Sequence, residues 1–200
     1  MESTQQKESL SRLIQERVRD LHLIQKDFLE QYTQNLVDLA AELARAFSKG
    51  NKLMIMGNGG SAADAQHMAA EFVNRFMIER RPLPAMSLST DTSILTAIGN
   101  DYSFDQVFEK QILALGKSGD ILIGISTSGN SPNIIRGFKS AREKKIMTVA
   151  LTGNQGGKMI EWADRSLIVP SSITPHIQET HILAIHLLCE MVDTLLFPSP

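Results

Sequence analysis

From Lys52 onward the chain alternates short apolar runs with helix-length segments, and that alternation limits the possible folds more than any other feature. The runs are Leu53–Met56, Ala85–Leu88, Ile121–Ile125, Thr148–Leu151 and Leu167–Val169. Each is bounded by Gly, Pro, Ser or Asp, and most are separated by helical stretches, roughly 61–78, 105–115, 132–144, 156–162 and 177–196. Short buried runs alternating with helices build a parallel sheet covered on both faces. Right-handed crossovers then give an α/β chain folded as a three-layer α/β/α sandwich with a five-stranded parallel sheet. Upstream, residues 5–49 contain neither Gly nor Pro. Leu10, Leu13, Ile14, Val18 and Leu21 form one helical stripe and Leu36, Leu39, Ala40 and Leu43 another, which predicts two helices or one long bent one. The expected organisation is an N-terminal helical arm over 1–49 and an α/β unit over 50–200, forming one structural unit. Such an arm packs on a second subunit or on its own sheet.

In a sheet of this kind ligands bind outside the carboxyl ends of the strands, so the residues after each run carry the functional signal. They read Gly57-Asn58-Gly59-Gly60-Ser61, Ser89-Thr90-Asp91-Thr92-Ser93, Ser126-Thr127-Ser128-Gly129-Asn130-Ser131 and Thr152-Gly153-Asn154. Hydroxyls, glycines and small amides crowd one edge beyond what turns require. The segment from Ser126 leads into a helix that Ser131 can cap, with Pro132 suited to its first turn. A phosphate there would meet free backbone N–H groups, the positive end of the helix dipole and several hydroxyls. Gly129 would let the backbone approach closely. The alternative is an ordinary capped turn. Gly57-x-Gly59-x-x-Ala62 also mimics a dinucleotide fingerprint, but Asp91 falls later than its acidic partner should, and no P-loop lysine follows.

His67 and Glu71 are four apart on one predicted helix and share a face, a spacing that serves a surface hydrogen bond or a common cation. The last helix adds Gln178, Glu179, His181 and His186 among Ile and Leu, either a partly exposed face with satisfied histidines or part of a site. The formal net charge of −2 provides no bulk attraction for nucleic acid. Arg75, Arg80 and Arg81 read as a solvated helix end rather than a binding patch. The single cysteine, Cys189, excludes an intramolecular disulfide framework and reads as a buried structural thiol. The apolar stretch 182–197 is broken by His186, Glu190 and Asp193, so no membrane span is expected. The N-terminus is polar and mixed in charge rather than a signal peptide, and a cytoplasmic protein is expected.

Taken together, Gly57-Asn58-Gly59-Gly60-Ser61 with Asp64-Ala65-Gln66-His67, and Ile125 through Ser131, resemble the signature loops of the sugar-isomerase (SIS) family. Gly99-Asn100-Asp101-Tyr102, Leu151-Thr152-Gly153 with Gly156-Gly157, and Ile177-Gln178-Glu179-x-His181 extend the resemblance to its phosphoheptose isomerases, over roughly residues 25–197. The resemblance implies a flavodoxin-like fold and isomerisation of D-sedoheptulose 7-phosphate to D-glycero-D-manno-heptose 7-phosphate, a step toward heptose for lipopolysaccharide. It implies that Ser61, Ser126, Thr127, Ser128 and Ser131 hold the phosphate, with Gly59 in the same loop, and that Asn58, Asp101 and Gln178 help hold the sugar. It further implies one zinc ion per subunit on His67, Glu71, Gln178 and His186, and a homotetramer; for the proton transfer that this isomerisation needs, Glu71 is assigned as base at carbon and His186 as its acid–base partner. Some relatives carry an acidic residue where this chain has Pro175, so no role passes to that position.

Gln178 and His186 are eight residues apart, about 12 Å along a helix. Either Gln178 precedes the regular helix or the two ligands come from different subunits, placing the site at an interface. The resemblance leaves two other readings open. One is a related protein that associates with the bacterial replication initiator, whose C-terminal end resembles Cys189-x-x-x-Asp193-x-x-Leu196-Phe197-Pro198 but which lacks the carboxylate retained here as Glu71. The other is an isomerase of a different sugar phosphate, since phosphate loops do not measure carbon count.

Overall fold

The five apolar runs become five parallel strands in a computed structural model that describes residues 2–198. Met1 of the expected arm and Ser199 and Pro200 of the expected α/β unit lie outside the described residues. The strands are β1 (Leu53–Gly57), β2 (Ala85–Ser87), β3 (Ile121–Ser126), β4 (Met147–Gly153) and β5 (Arg165–Val169). Their order across the sheet is β2-β1-β3-β4-β5. β1 and β3 are buried at every position, which is why they read as continuous apolar runs rather than alternating ones.

The two faces split by strand parity. Leu53, Ile55, Ile121, Ile123 and Ile125 point into a core with Phe28, Leu39, Leu43, Phe72, Ile185 and Leu188. Met54, Met56 and Leu122 point into the other core, with Phe108, Ile112, Ile134 and Phe138. The first layer is made by α1 (Glu2–Ser48), α2 (Gly60–Val73) and α6 (Thr174–Leu196), and the second by α4 (Val107–Leu115) and α5 (Pro132–Glu143). The three-layer sandwich expected from the sequence is the fold observed.

The arm is one uninterrupted helix of 47 residues. Its second half belongs to the core, from Phe28 through Leu36, Leu39 and Leu43 to Phe47. Its first half is uncovered: Leu10, Leu13, Ile14, Val18 and Leu23 are all exposed.

Three local expectations are corrected. The stretch 156–162 forms only a 3-10 turn at Lys158–Trp162; its two glycines leave no room for a regular first turn. The hydroxyl-rich segment after β2 is not all loop, because α3 (Thr92–Asp101) starts there, capped by Asp91 accepting from the Ile94 amide at 2.9 Å. Finally, α2 stops at Val73, because the chain turns back and Arg80 donates to the carbonyls at its end. Among the described residues no helix is long and apolar enough to cross a membrane.

Candidate functional site

The strand order reverses direction between β1 and β3, so the two connections leaving them diverge and open a crevice at the carboxyl edge. Both connections run straight into helices, α2 and α5. Gly57 takes the sharp turn out of β1, where a Cβ would collide with the Ser61 carbonyl. Ser61 itself is buried at the first turn of α2. Asn58 forms a reciprocal amide pair with Asn133 of α5, the two bonds measuring 3.0 and 2.9 Å. Asn133 is buried, and its Oδ1 also accepts from the Ile134 amide at 2.9 Å. This pair locks the two loops together. Sequence reading missed Asn133; its signal was an amide placed directly behind a helix-starting proline.

Ser131 occupies the N-cap position of α5, but its side chain caps nothing. Its hydroxyl lies 3.0 Å from that of Ser126, across the mouth of the loop. The Ser126 hydroxyl also accepts from the Gly129 amide at 3.2 Å. Ser128 is exposed and Thr127 half-buried at the rim. Gly129 is needed, but for a neighbour other than a ligand. It has φ +65°, and a Cβ there would strike the Gly156 carbonyl. Asn130 Nδ2 donates to the Ser128 carbonyl at 2.9 Å, and its Oδ1 accepts from the Lys158 amide at 3.1 Å. The cradle is therefore braced from behind by the loop after β4. Hydroxyls and helix starts around a crevice suit a tetrahedral dianion. Asp101 stands apart. It is exposed at the end of α3, bonded through Oδ1 to the Asn100 amide at 2.9 Å, and α3 has no fully buried residue.

A second group lies down the flank of α2. His67 Nε2 is 3.0 Å from Glu71 Oε1. The His67 and His186 rings meet edge to face, centroids 5.1 Å apart, and the Phe76 ring lies beside His186 at 5.4 Å. Gln178 does not join them. It lies within α6, and its amide presses on Gly60, where a Cβ would collide with it. This removes one of the two alternatives, that Gln178 precedes the regular helix. α2 and α6 thus run side by side, Gln178 beside the cradle and His186 about two turns further on. Two imidazoles, a carboxylate and an amide oxygen are suitable zinc chemistry. Three of the four donors share one face, and the fourth is held elsewhere in the same chain. Among the described residues, no three His, Cys, Asp or Glu side chains stand close enough to hold an ion unaided.

Other titratable groups nearby are structural. His181 is fully buried and donates from Nε2 to the Thr152 carbonyl at 3.2 Å. Burial lowers its pKa to about 4, only partly offset by that bond. Burial also raises Asp64 to about 6, with His67 pulling the other way. Cys189 is a buried thiol, as expected, and burial pushes its pKa up. The three arginines are not one solvated patch. Arg75 lies 3.5 Å from Glu79 at the surface and Arg81 stacks over Phe197, but the Arg80 side chain is 1% exposed.

Comparison with known proteins agrees with this fold. Residues 18–153 match the family model described as the SIS domain. A phosphoheptose isomerase of Nitratidesulfovibrio vulgaris (strain Miyazaki F) is 55% identical over 176 residues, 88% of this chain and 85% of that protein. The structure of phosphoheptose isomerase GmhA from Neisseria gonorrhoeae superposes with a TM-score of 0.87 at 43% identity, covering 92% of this chain and 99% of that one. A phosphoheptose isomerase structure from Francisella tularensis gives 0.89 at 35% identity, covering 93% and 98%.

Proposed function

The chain belongs to the SIS domain family, and from that premise we propose that it is an aldose–ketose isomerase converting D-sedoheptulose 7-phosphate to D-glycero-D-manno-heptose 7-phosphate. The observation that carries this reading is the course of α2, which begins at the hydroxyl-lined cradle and bears His67 and Glu71 on the flank facing His186. A cradle alone would serve any phosphosugar-binding protein. A carboxylate and two imidazoles on the helix that leaves it serve proton transfer.

The reaction moves a proton between C1 and C2 while the two oxygens exchange protons, through an enediol. Ser61, Ser126, Thr127, Ser128 and Ser131 bind the phosphate, with Gly59 and Asn58 shaping the loop beside them. Asp101 and Gln178 hold sugar hydroxyls. Glu71 takes the proton from carbon, and His186 serves the oxygens as acid and base. The hydrogen bond from His67 keeps Glu71 oriented. His67, Glu71, Gln178 and His186 would hold one zinc ion, which when bound polarises the substrate oxygens.

One chain does not assemble these parts. Ser61 and Glu71 are ten positions apart, roughly 15 Å along α2, and Gln178 lies against Gly60 rather than beside His186. We therefore place the working site between copies, with the cradle and Gln178 of one chain facing His67, Glu71 and His186 of a second. The uncovered stripe of α1 supports such an assembly, a homotetramer, since long apolar faces of this kind are normally buried by association. The protein then acts in the cytoplasm on sugar phosphates, without nucleic-acid or membrane partners. The test is turnover of sedoheptulose 7-phosphate by metal-stripped protein before and after adding zinc. Zinc-dependent formation of the aldose is expected. Absence of turnover from an intact, zinc-loaded assembly would overturn the substrate assignment.

A further inference from the structure

Arg80 lies outside the cradle and the acid–base group, yet it is the most heavily hydrogen-bonded cation among the described residues. Its Nε donates to Asp193 Oδ1 at 2.8 Å, and the two side chains are 1% and 5% exposed. Its Nη2 donates to the carbonyl of Glu71 at 2.8 Å. Its Nη1 donates to the carbonyl of Phe72 at 2.7 Å and reaches those of Asn74 and Arg81 at 3.2 Å. Helix α2 ends at Val73, so the Glu71 and Phe72 carbonyls are among the last four, which have no partner within the helix. A buried guanidinium placed there satisfies the Glu71 carbonyl, joins the Leu83 amide (3.0 Å) on that of Phe72, and complements the negative end of the helix dipole. Asp193 belongs to α6, two turns beyond His186. The pair therefore fastens the end of the helix carrying His67 and Glu71 to the helix carrying His186. Cys189 lies within reach of all three charges: burial raises its thiol most, Glu71 and Asp193 add to that, and Arg80 opposes them.

We infer that Arg80, held by Asp193, is a positioning residue for the isomerisation, fixing the Glu71 backbone and hence the placement of its carboxylate opposite His186. This rests on the isomerase reading above. If the clamp were only structural, a buried ion pair would be a poor choice. Its desolvation is costly, and well-packed apolar side chains of similar volume commonly replace such pairs without loss of stability. What an apolar pair cannot do is bind the Glu71 and Phe72 carbonyls. Displacement of a reacting group by even an ångström can reduce turnover about a hundredfold.

The experiment compares wild type with R80M/D193L, and with R80K as the conservative change. The double variant is expected to fold and keep the assembly of wild type, with thermal stability lowered modestly because the Glu71 carbonyl loses its donor. Amide hydrogen exchange over residues 67–76 should accelerate, and kcat should fall at least about tenfold with KM within about threefold. R80K, which keeps a donor, should recover part of both. Should the double variant not fold, R80K against wild type carries the same test. A stable variant with wild-type kcat overturns the proposal, whatever its exchange rates. Unchanged exchange over 67–76 overturns it as well. Failure of wild type to turn over sedoheptulose 7-phosphate would overturn the isomerase reading instead, and the exchange comparison would still decide whether Arg80 holds the end of α2.

Discussion

The cradle at the sheet edge and the acid–base group on the flank of α2 are built in opposite ways. The cradle is self-supporting. Its two loops are joined by the Asn58–Asn133 pair, and the loop after β4 braces Gly129 and Asn130 from behind through Gly156 and Lys158. The flank is open: His67 is exposed, Glu71 and His186 are half-buried, and Gln178 is committed to Gly60. Binding a common phosphate calls for a preformed shape, which one chain provides. Proton transfer between neighbouring carbons calls for groups that close around the substrate, and under the proposed function a second copy supplies that closure. The contrast teaches that fold and chemistry need not be completed at the same level of assembly.

The most severe way to break this division is Glu71→Gln. Turnover should fall by about three orders of magnitude, the range expected for removing a general base, while binding of the sugar phosphate, measured by calorimetry, persists. Loss of both together would mean that cradle and flank are not separable. Mixing Glu71→Gln with a cradle variant, Ser126→Ala/Ser128→Ala, sharpens the point. Each is inactive or nearly so by itself, but co-refolded mixtures should regain a substantial fraction of wild-type turnover if copies share sites. No recovery in demonstrably mixed oligomers would confine each site to one chain. Ser128→Ala alone should act in the reverse sense to Glu71→Gln. Loss of a hydrogen bond to a charged phosphate oxygen, about 1.5–3 kcal/mol, should raise KM roughly ten- to a hundredfold, with kcat less affected.

The smallest effect concerns stability. His181 has its folded pKa lowered to about 4 from the ordinary 6.5, so between those values the unfolded chain binds more protons and stability falls as pH falls. Asp64, raised to about 6 from 3.8, works the other way: the folded chain binds more protons between pH 6 and 3.8 and gains stability there. The two partly cancel. Replacing His181 by Gln should therefore shift the balance, making stability relative to wild type increase from pH 7 to pH 4.5 in denaturant titrations. Parallel curves for the two proteins over that interval would show that His181 is not buried as a neutral ring.

The same contrast governs what could be read from the sequence. The cradle was legible because it is local: strand, turn and helix start follow one another within ten or so residues, and the order of strands alone puts two such turns side by side. Asn133 escaped because its partner is 75 positions away, a pairing no local pattern encodes. α3 escaped because Thr92, Ser93 and Thr96 suggest a loop, and Gly99 weakens the helical pattern. Arg80 reads as solvated because a cluster with Arg75 and Arg81 at a helix end normally is; only the docking of α6 brings Asp193 over it. For the flank, the i,i+4 pair His67–Glu71 was visible, but its meaning depended on where Gln178 and His186 stood along one continuous helix.

The exposed first half of α1 has a consequence for dosage. If copies share sites, the active species is an assembly whose population rises more steeply than protein concentration, and ligands that bind only the assembly also stabilise it by mass action. Specific activity should then fall on dilution and recover on adding substrate, so expression level would set the rate per molecule as well as the number of molecules.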